Sequence, residues 1–283
     1  MTCLPQNDPA ITIDEVGIAT ARHGDVVLRS AFQLVFRRVG DKLVACAAES
    51  FLRPFRKGLP LPPRPFLAAL EPEDRYLVER RASAIHVRNH SHIGVDGLTH
   101  MMGVGPALVE APEGAAVLAD LSTFVGPMDE EPAPLVCSLR VNSGEGNAGL
   151  SVLAQDLKSR DIGLALGGPA EEAPLLDVIG LMRPDIVRID GGWFRRVVEN
   201  EVARRLMASL VAGFKSEGAL VLVEGLETRD HLDAALEIKA DLLQGFLLSP
   251  PRVAGTDFDG PDIALRDLFP SAATIIPLFG NGR

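Results

Sequence analysis

The sequence lacks the features typical of secreted, membrane-spanning and disulfide-rich proteins. It has three cysteines, Cys3, Cys46 and Cys137, an odd number without paired spacing, so neither a disulfide framework nor a four-ligand zinc site is predicted. No apolar run approaches the roughly 18 to 20 residues of a membrane-spanning helix. The first fifteen residues, MTCLPQNDPAITIDE, have no basic segment followed by an apolar core. A cytoplasmic protein without membrane contact is expected.

Positive charge is also scarce. Lysine and arginine number 28 against 38 acidic residues, which gives a formal net charge of -10. Binding of DNA or RNA by phosphate neutralisation needs clustered basic residues, so this class of function is disfavoured. The negative net charge still allows a small phosphorylated ligand to bind, because one or two well-placed arginines are enough to hold it. The chain has 283 residues, 47% of them hydrophobic, which supports a sizeable core.

Helix and strand patterns alternate regularly in the second half of the chain. The predicted elements there are a helix at Leu150–Ser159, a strand at Ile162–Leu166, a helix from about Glu171 to Leu181, a strand at Ile186–Ile189 and one long helix over about Trp193–Glu217. Nearer the start, the strands Ala31–Phe36 and Leu43–Phe51 flank a Gly40-Asp41 turn, which predicts an antiparallel hairpin. Together these patterns predict an α/β fold, a modified TIM (β/α)8-type barrel with one antiparallel strand near the N-terminus.

Other parts of the first half are less regular. The patterns predict a weak helical segment over Ile11–Ser30, a helix over Pro72–Asn89 and a short strand at His92–Val95 that ends in Asp96. The apolar run Ala115–Leu121 fits either a strand or a helix. Pro134–Val141 is predicted as a strand, and a glycine-rich loop follows it.

The stretch from Gly218 to Pro250 combines two strand patterns with a helix. The buried-strand pattern of Ala219–Val223 stops at Glu224, and Thr228 can cap the helix that follows. A second short run, Asp241–Leu243, leads directly to Gln244. In a parallel β-helix-β unit both polar side chains would lie at the carboxyl ends of strands, where barrels bind their ligands.

Five motifs resemble those of the EAL domain family of cyclic di-GMP phosphodiesterases and their inactive relatives. They are FQLV at 32–35, AESFLR at 48–53, RIDGGWF at 188–194, VEGLET at 223–228 and LLQGFLLSPP at 242–251. The resemblance covers roughly residues 15 to 251. It implies the same modified TIM barrel and, in active members, two divalent metals that activate a water for phosphodiester hydrolysis.

The resemblance also places the family's metal ligands on this sequence, where most are replaced. The EAL glutamate falls on Glu49, and the asparagine of the next strand falls near Asp96. A further glutamate falls on Cys137 or Ser138, and the paired aspartates fall on Gly167 and Gly168. The family's lysine becomes Arg188, which cannot reproduce the contacts of a compact ammonium group. Loss of the bridging carboxylates predicts that no Mg²⁺ is bound and that phosphodiesterase activity is absent.

The resemblance implies that part of a nucleotide pocket survives. Its possible lining is Gln33, Glu49, Arg53, Arg188, Glu224 and Gln244. Arg53 can hold a phosphate with two hydrogen bonds, and amides can bind guanine edges. Against binding, Glu171 and Glu172 fall in the loop near which the phosphates would lie. Strand-end salt bridges and hydrogen bonds to the backbone are the structural alternative for the same residues.

These observations predict a catalytically inactive EAL-like regulatory protein that acts by protein–protein interaction and has cyclic di-GMP as a candidate ligand. The alternatives are a weakly active metal-dependent phosphodiesterase using Glu49, Asp96 and Glu224, a hydrolase built on the crowded histidines near His86 and His100, and a purely structural interaction protein. No cofactor is expected, the partner is unidentified, and a homodimer is left open. The predicted division is a leader at 1–14, the barrel domain at 15–254 and a tail at 255–283 that docks on the body or a partner.

Overall fold

The structure is a computed structural model that describes residues 8–123, 133–141, 147–168, 174–256, 258 and 262–269. The glycine-rich loop predicted after Val141 and the loop that holds Glu171 and Glu172 lie largely or wholly outside these residues. The final apolar run, 272–279, also lies outside them.

Strands and helices alternate along most of the described chain. The strands are β1 (Ile11–Ile13), β2 (Ala19–His23), β3 (Val26–Val39), β4 (Lys42–Arg56), β5 (Leu59–Pro60), β6 (Thr99–Gly103), β7 (Leu135–Arg140), β8 (Gly163–Gly168), β9 (Ile186–Ile189), β10 (Leu220–Val223), β11 (Leu242–Leu243), β12 (Arg252–Val253) and β13 (Asp262–Ala264). The helices are α1 (Pro63–Ala68), α2 (Pro72–His90), α3 (Pro106–Glu110), α4 (Gly114–Ser122), α5 (Asn147–Ser159), α6 (Pro174–Met182), α7 (Gly191–Val198), α8 (Glu201–Ser216), α9 (Arg229–Glu237) and α10 (Leu265–Leu268).

Eight of these strands close into a barrel in the order β3-β11-β10-β9-β8-β7-β6-β4, and β4 pairs back to β3. Seven run parallel to one another, and β3 is antiparallel to both of its neighbours. The long β3–β4 hairpin turns at Gly40, whose φ of 62° lies in the left-handed region that a tight turn requires. The predicted barrel with one antiparallel strand near the N-terminus is therefore confirmed.

The helical segment predicted over Ile11–Ser30 is wrong. β1 pairs with β2, and β2 pairs with β3 across a two-residue turn at Gly24-Asp25. Buried and less buried residues alternate along β2, which is the period of a strand. The division at residues 14 and 254 stays a prediction, but β1 and β13 both add strands to the sheet from the predicted flanking segments.

Two further predictions need correction. The segment predicted as a strand at His92–Val95 contains a 3-10 turn over Ser91–Ile93 that ends at Gly94 with φ 77°, a conformation that a strand cannot accommodate. The helix predicted over Trp193–Glu217 is two helices, because Asn200 is extended and its side chain caps α8 by accepting from Val202 N and Ala203 N. The undecided run at Ala115–Leu121 lies in α4.

The barrel interior is filled at its lower level by apolar side chains from the strands themselves. This cluster consists of Val35, Ala47, Met101, Ala165, Ile186, Leu222 and Leu242, with Cys46 and Val136 packed against it. Side chains of one strand point to the same face every second residue. We call this cluster the apolar plug. In the parallel strands, the residues two positions closer to the carboxyl end therefore also point into the barrel, above the plug.

Candidate functional site at the barrel mouth

One level above the apolar plug, eight inward-facing positions form the floor of a cavity of about 390 Å³. Each is two residues from a member of the plug. They are Gln33, Glu49, Gly103, Ser138, Gly167, Arg188, Glu224 and Gln244. Phe51, Arg140, Asp190 and Phe246 line the cavity nearer its rim. A volume of this size lies within the range of small-molecule sites.

Arg188 is the centre of the polar network on this floor. Its Nη1 lies 2.7 Å from Glu49 Oε1 and its Nη2 lies 3.0 Å from Glu49 Oε2, a two-pronged ion pair. Its Nε donates to Glu224 Oε1, and Nη1 also donates to Ser138 Oγ. Gln244 Nε2 donates to Glu49 Oε2 at 2.8 Å. The two carboxylates at the floor are therefore held by a buried guanidinium.

Burial and charge act in opposite directions on these groups. Burial favours the neutral form of Arg188, but Glu49 and Glu224 outweigh it and raise the pKa of Arg188 above its ordinary value. Burial raises the pKa of Glu224, and the nearby Glu49 adds to this, while Arg188 opposes it. Two acids share one cation, so the network carries an excess negative charge that favours the protonated form of Glu224.

The structure brings together five of the six residues predicted for the pocket. Gln33, Glu49, Arg188, Glu224 and Gln244 line the cavity. The sixth, Arg53, lines a neighbouring cavity of about 650 Å³ between β4 and the helices α1 and α2. Its guanidinium carbon lies 5.7 Å from the centre of the Phe51 ring, and burial lowers its pKa. Phe51 and Gly103 line both cavities, so the two spaces adjoin.

Asp96, predicted to fall near a metal-ligand position of the family, does not line the cavity. Asp96 is exposed and precedes β6, whereas the residue of β6 that faces the cavity is Gly103, at its carboxyl end. The other predicted metal positions, Ser138, Gly167 and Gly168, do line the cavity. Among the described residues, no group of three or more histidine, cysteine, aspartate or glutamate side chains could hold a metal ion.

The two glycines are required by packing. A Cβ atom built on Gly167 would lie 2.9 Å from Arg188 Cβ and 3.6 Å from Arg188 Cδ. One built on Gly168 would lie 2.6 Å from the carbonyl oxygen of Val141. The missing side chain at position 167 thus leaves the space that the Arg188 side chain occupies. The arginine and the glycine are linked structurally, because each fits only with the other.

Replacement of Gly167 by alanine is therefore expected to destabilise the protein by about 1 to 3 kcal/mol, the usual cost of forcing an extra carbon into a packed interior. The strain falls on the stem of Arg188, which cannot move without disturbing its two ion pairs. Urea unfolding measures the change. The matched control is Gly213→Ala, because a Cβ there meets nothing within 4 Å and α8 favours alanine over glycine. Equal stability of the two variants would contradict the packing argument.

Sequence reasoning missed the rim of the cavity. Arg140, Phe51 and Phe246 all line it, and none was singled out. Arg140 could have been found from the period of two, since it follows Ser138 by two positions on β7. Phe246 is 66% exposed and follows Gln244 by two residues.

The histidines that suggested an alternative metal site lie on α2 and β6, outside the barrel floor. His86 Nδ1 is 2.8 Å from Ser30 Oγ, and His100 Nε2 is 3.0 Å from Ser50 Oγ. The rings of His90 and His100 stack at 4.7 Å. Burial lowers the pKa of His86 to about 3 and that of His90 to about 4. These are neutral, packed side chains, and their main effect is on stability.

Comparison with known proteins supports the family resemblance. The model of the EAL domain family matches residues 130–251. Cyclic di-GMP phosphodiesterase PdeF of Escherichia coli K12 is 29% identical over 68 residues, which are 24% of this chain and 9% of that protein. The match therefore spans only a small part of PdeF.

Solved structures share the fold. Klebsiella pneumoniae BlrP1 in a manganese and cyclic di-GMP complex aligns with a TM-score of 0.65 and 18% identity, over 81% of this chain and 57% of that one. Bacillus subtilis YkuI has an EAL domain, and its complex with cyclic di-GMP and calcium aligns with a TM-score of 0.66 and 20% identity, over 82% of this chain and 57% of that one. The Pseudomonas aeruginosa FimX EAL domain bound to cyclic di-GMP aligns with a TM-score of 0.66 and 17% identity, over 79% of this chain and 90% of that one. Within the described residues, no helix is both long and apolar enough to cross a membrane.

Proposed function

Since this chain is a member of the EAL domain family, we propose that it binds cyclic di-GMP at the barrel mouth without hydrolysing it, and that occupancy regulates a protein partner. The observation that carries the proposal is the guanidinium of Arg188 between Glu49 and Glu224. Solved relatives with this fold hold cyclic di-GMP, as in BlrP1, YkuI and FimX. The cavity lies at the carboxyl ends of the parallel strands, where such folds bind ligands.

The residues at the cavity floor do not fit a pair of divalent metals. A two-metal clamp needs several oxygen ligands that converge without a competing cation. Here Glu49 and Glu224 already neutralise Arg188, and the glycines at 103, 167 and 168 offer no side-chain oxygen. A dication entering this space would be repelled by the guanidinium and would leave it buried without its partners. Hydrolysis by the family's metal chemistry is therefore not expected.

The same floor keeps groups that suit a guanine base. The amide nitrogen of Gln33 donates a hydrogen bond to the carbonyl oxygen of Ser249 at 2.8 Å, and the amide nitrogen of Gln244 donates one to Glu49. Among the described residues neither amide oxygen accepts a hydrogen bond, so both remain for the N–H groups of guanine. The rings of Phe51 and Phe246 at the rim offer flat apolar faces, and base stacking on such rings contributes to nucleotide affinity.

Calorimetric titration of cyclic di-GMP in the presence of EDTA tests the proposal. Binding is expected without metal, and addition of Mn²⁺ should change the affinity by less than about twofold. Gln33→Leu should weaken binding roughly tenfold, since it removes a hydrogen-bonding group from the floor and leaves the base unpaired there. Leu206→Ala, on an exposed face of α8, is the control that should bind like the wild type.

Two other results would each point to a different function. Binding that needs Mn²⁺ and is followed by a linear dinucleotide product would favour the phosphodiesterase alternative. No binding in either condition would favour a purely structural interaction protein. The regulatory part is tested separately, by comparing the proteins that co-purify with the chain in the presence and absence of the nucleotide. An identical set in both conditions would contradict ligand-dependent regulation.

A further inference from the structure

We propose that Arg140 is the residue that holds a phosphate group of the ligand, in place of the metal ions used by metal-dependent relatives. This inference rests on the proposed function, because it names the cation that an anionic ligand would meet in the same cavity. Arg140 lines the cavity and is exposed at its rim. The guanidinium group is well suited to phosphate, because its planar fork can donate two parallel hydrogen bonds.

The sheet register places Arg140 beside the centre of the site. Arg140 pairs with Gly167 across β7 and β8, and Gly167 pairs with Arg188 across β8 and β9. The two arginines thus follow one line of strand pairing, separated by one strand whose residue has no side chain. Neighbouring strands lie about 4.8 Å apart, so the two backbones are separated by roughly 10 Å.

The two arginines differ in what they bind. Arg188 is buried and satisfied by two carboxylates and one hydroxyl, which leaves it little capacity for a ligand. Within the described part of the chain, no carboxylate lies within ion-pair distance of Arg140, although its charge acts on the nearby Glu224 and lowers the pKa of that acid. Arg195, which lies near the same rim, donates to the carbonyl oxygen of Gly225 and pairs with Glu227 at 3.1 Å. Arg140 is therefore the cation at this mouth that is available to an incoming anion.

The charge of the cavity makes such a cation necessary. Its lining contains four acids, Glu49, Asp190, Glu224 and Glu227, and only two basic residues, Arg140 and Arg188. Without metals, a doubly charged cyclic dinucleotide would meet an excess of negative charge at the floor. A free guanidinium at the rim allows the phosphates to stay above the carboxylates while the bases reach the amides below. The ligand class is thus an anion with flat groups, such as a cyclic purine dinucleotide.

The test is calorimetric titration of cyclic di-GMP into the wild type, Arg140→Ala, Arg140→Lys and Arg160→Ala in EDTA, each at low and high salt. Arg140→Ala is expected to weaken binding by about tenfold to a hundredfold, the range for losing a charged hydrogen bond. Its affinity should also depend less on salt than that of the wild type. Arg140→Lys should recover part of the loss. Arg160→Ala removes an exposed arginine that pairs with Asp156 on another face and should have no effect.

Folding and the two proposals can be separated. Arg140 is exposed, so its loss should leave the thermal midpoint unchanged, and a weakened affinity then reports on binding alone. Equal affinity and equal salt dependence of wild type and Arg140→Ala would overturn the role of Arg140 and leave nucleotide binding intact. If the wild type itself binds no cyclic di-GMP, the proposed function fails. Arg140 is then judged with sodium pyrophosphate, which should raise the thermal midpoint of the wild type but not that of Arg140→Ala; equal responses would overturn the assignment.

Discussion

Arg188→Met should lower the free energy of unfolding by about 3 to 5 kcal/mol, the cost of removing one partner from a buried ion pair. Methionine fills much of the same volume, so the loss comes from two carboxylates left without their cation and from little else. Glu49 and Glu224 would face each other across the floor, both desolvated. Urea denaturation, with the midpoint and slope fitted together, measures this loss.

Two further variants make the result specific. Arg205→Met removes an exposed arginine that pairs with Glu201 on α8, and it should cost less than about 1 kcal/mol. The triple variant Arg188→Met, Glu49→Gln, Glu224→Gln removes the whole charged group and should recover most of the lost stability. A loss below about 1 kcal/mol for Arg188→Met alone would show that the carboxylates do not depend on this guanidinium.

Acid should unfold the protein well before its carboxylates are protonated, because three buried histidines are neutral in the folded state. Burial lowers the pKa of His86 to about 3 and that of His90 to about 4, and burial together with its neighbouring histidines lowers the pKa of His100 well below 6.5. The unfolded chain binds protons on these residues below about pH 6.5. Stability is therefore fully present above pH 6.5 and is lost as the pH falls toward the folded pKa values.

The expected size of this effect is large. Each histidine contributes about 1.4 kcal/mol per pH unit in this window, so the three together cost roughly 6 kcal/mol by pH 5. The measurement is the urea unfolding free energy at intervals from pH 7.5 to 5. His90→Phe should reduce the slope by about one proton, because the Nε2 of His90 is buried without a hydrogen-bond partner and an aromatic ring can replace it against His100. His231→Gln, at a partly exposed position on α9, is the control, and an equal slope in wild type and His90→Phe would contradict this account.

Much of the barrel could be predicted from local patterns. The strands β9 and β10 are short apolar runs that end at charged or polar residues, and their prediction needed no knowledge of the rest of the fold. The hairpin of β3 and β4 was evident from its glycine-aspartate turn. The helix predicted over Ile11–Ser30 is wrong because buried and less buried residues alternate over short strands there, a period of two that a helix does not have.

Most residues of the candidate site could be predicted, but the hydrogen bonds and ion pairs between them could not. Glu49, Arg188 and Glu224 could each be predicted as residues of the site. Their shared hydrogen-bond network depends on which side chain fills the centre of the barrel, and the distances between these side chains cannot be read from a single sequence. Asp96 was misplaced because a local strand pattern ended at an acid, although the true strand begins three residues later at Thr99. Arg140 was not predicted because the family resemblance assigns no role to its position, although the period of two along β7 points it to the same face as Ser138.

Arg188 is proposed to occupy the carboxylates Glu49 and Glu224 at the barrel mouth, so that no metal ions bind there. This proposal is tested most directly by titrating Mn²⁺ into the purified protein and following the free ion by electron paramagnetic resonance. The account predicts that free Mn²⁺ rises as it does in buffer alone at micromolar protein and metal, with no stoichiometric binding. Uptake of one or two Mn²⁺ per chain, lost on substitution of Glu49 or Glu224, would contradict it and would restore the metal-dependent phosphodiesterase.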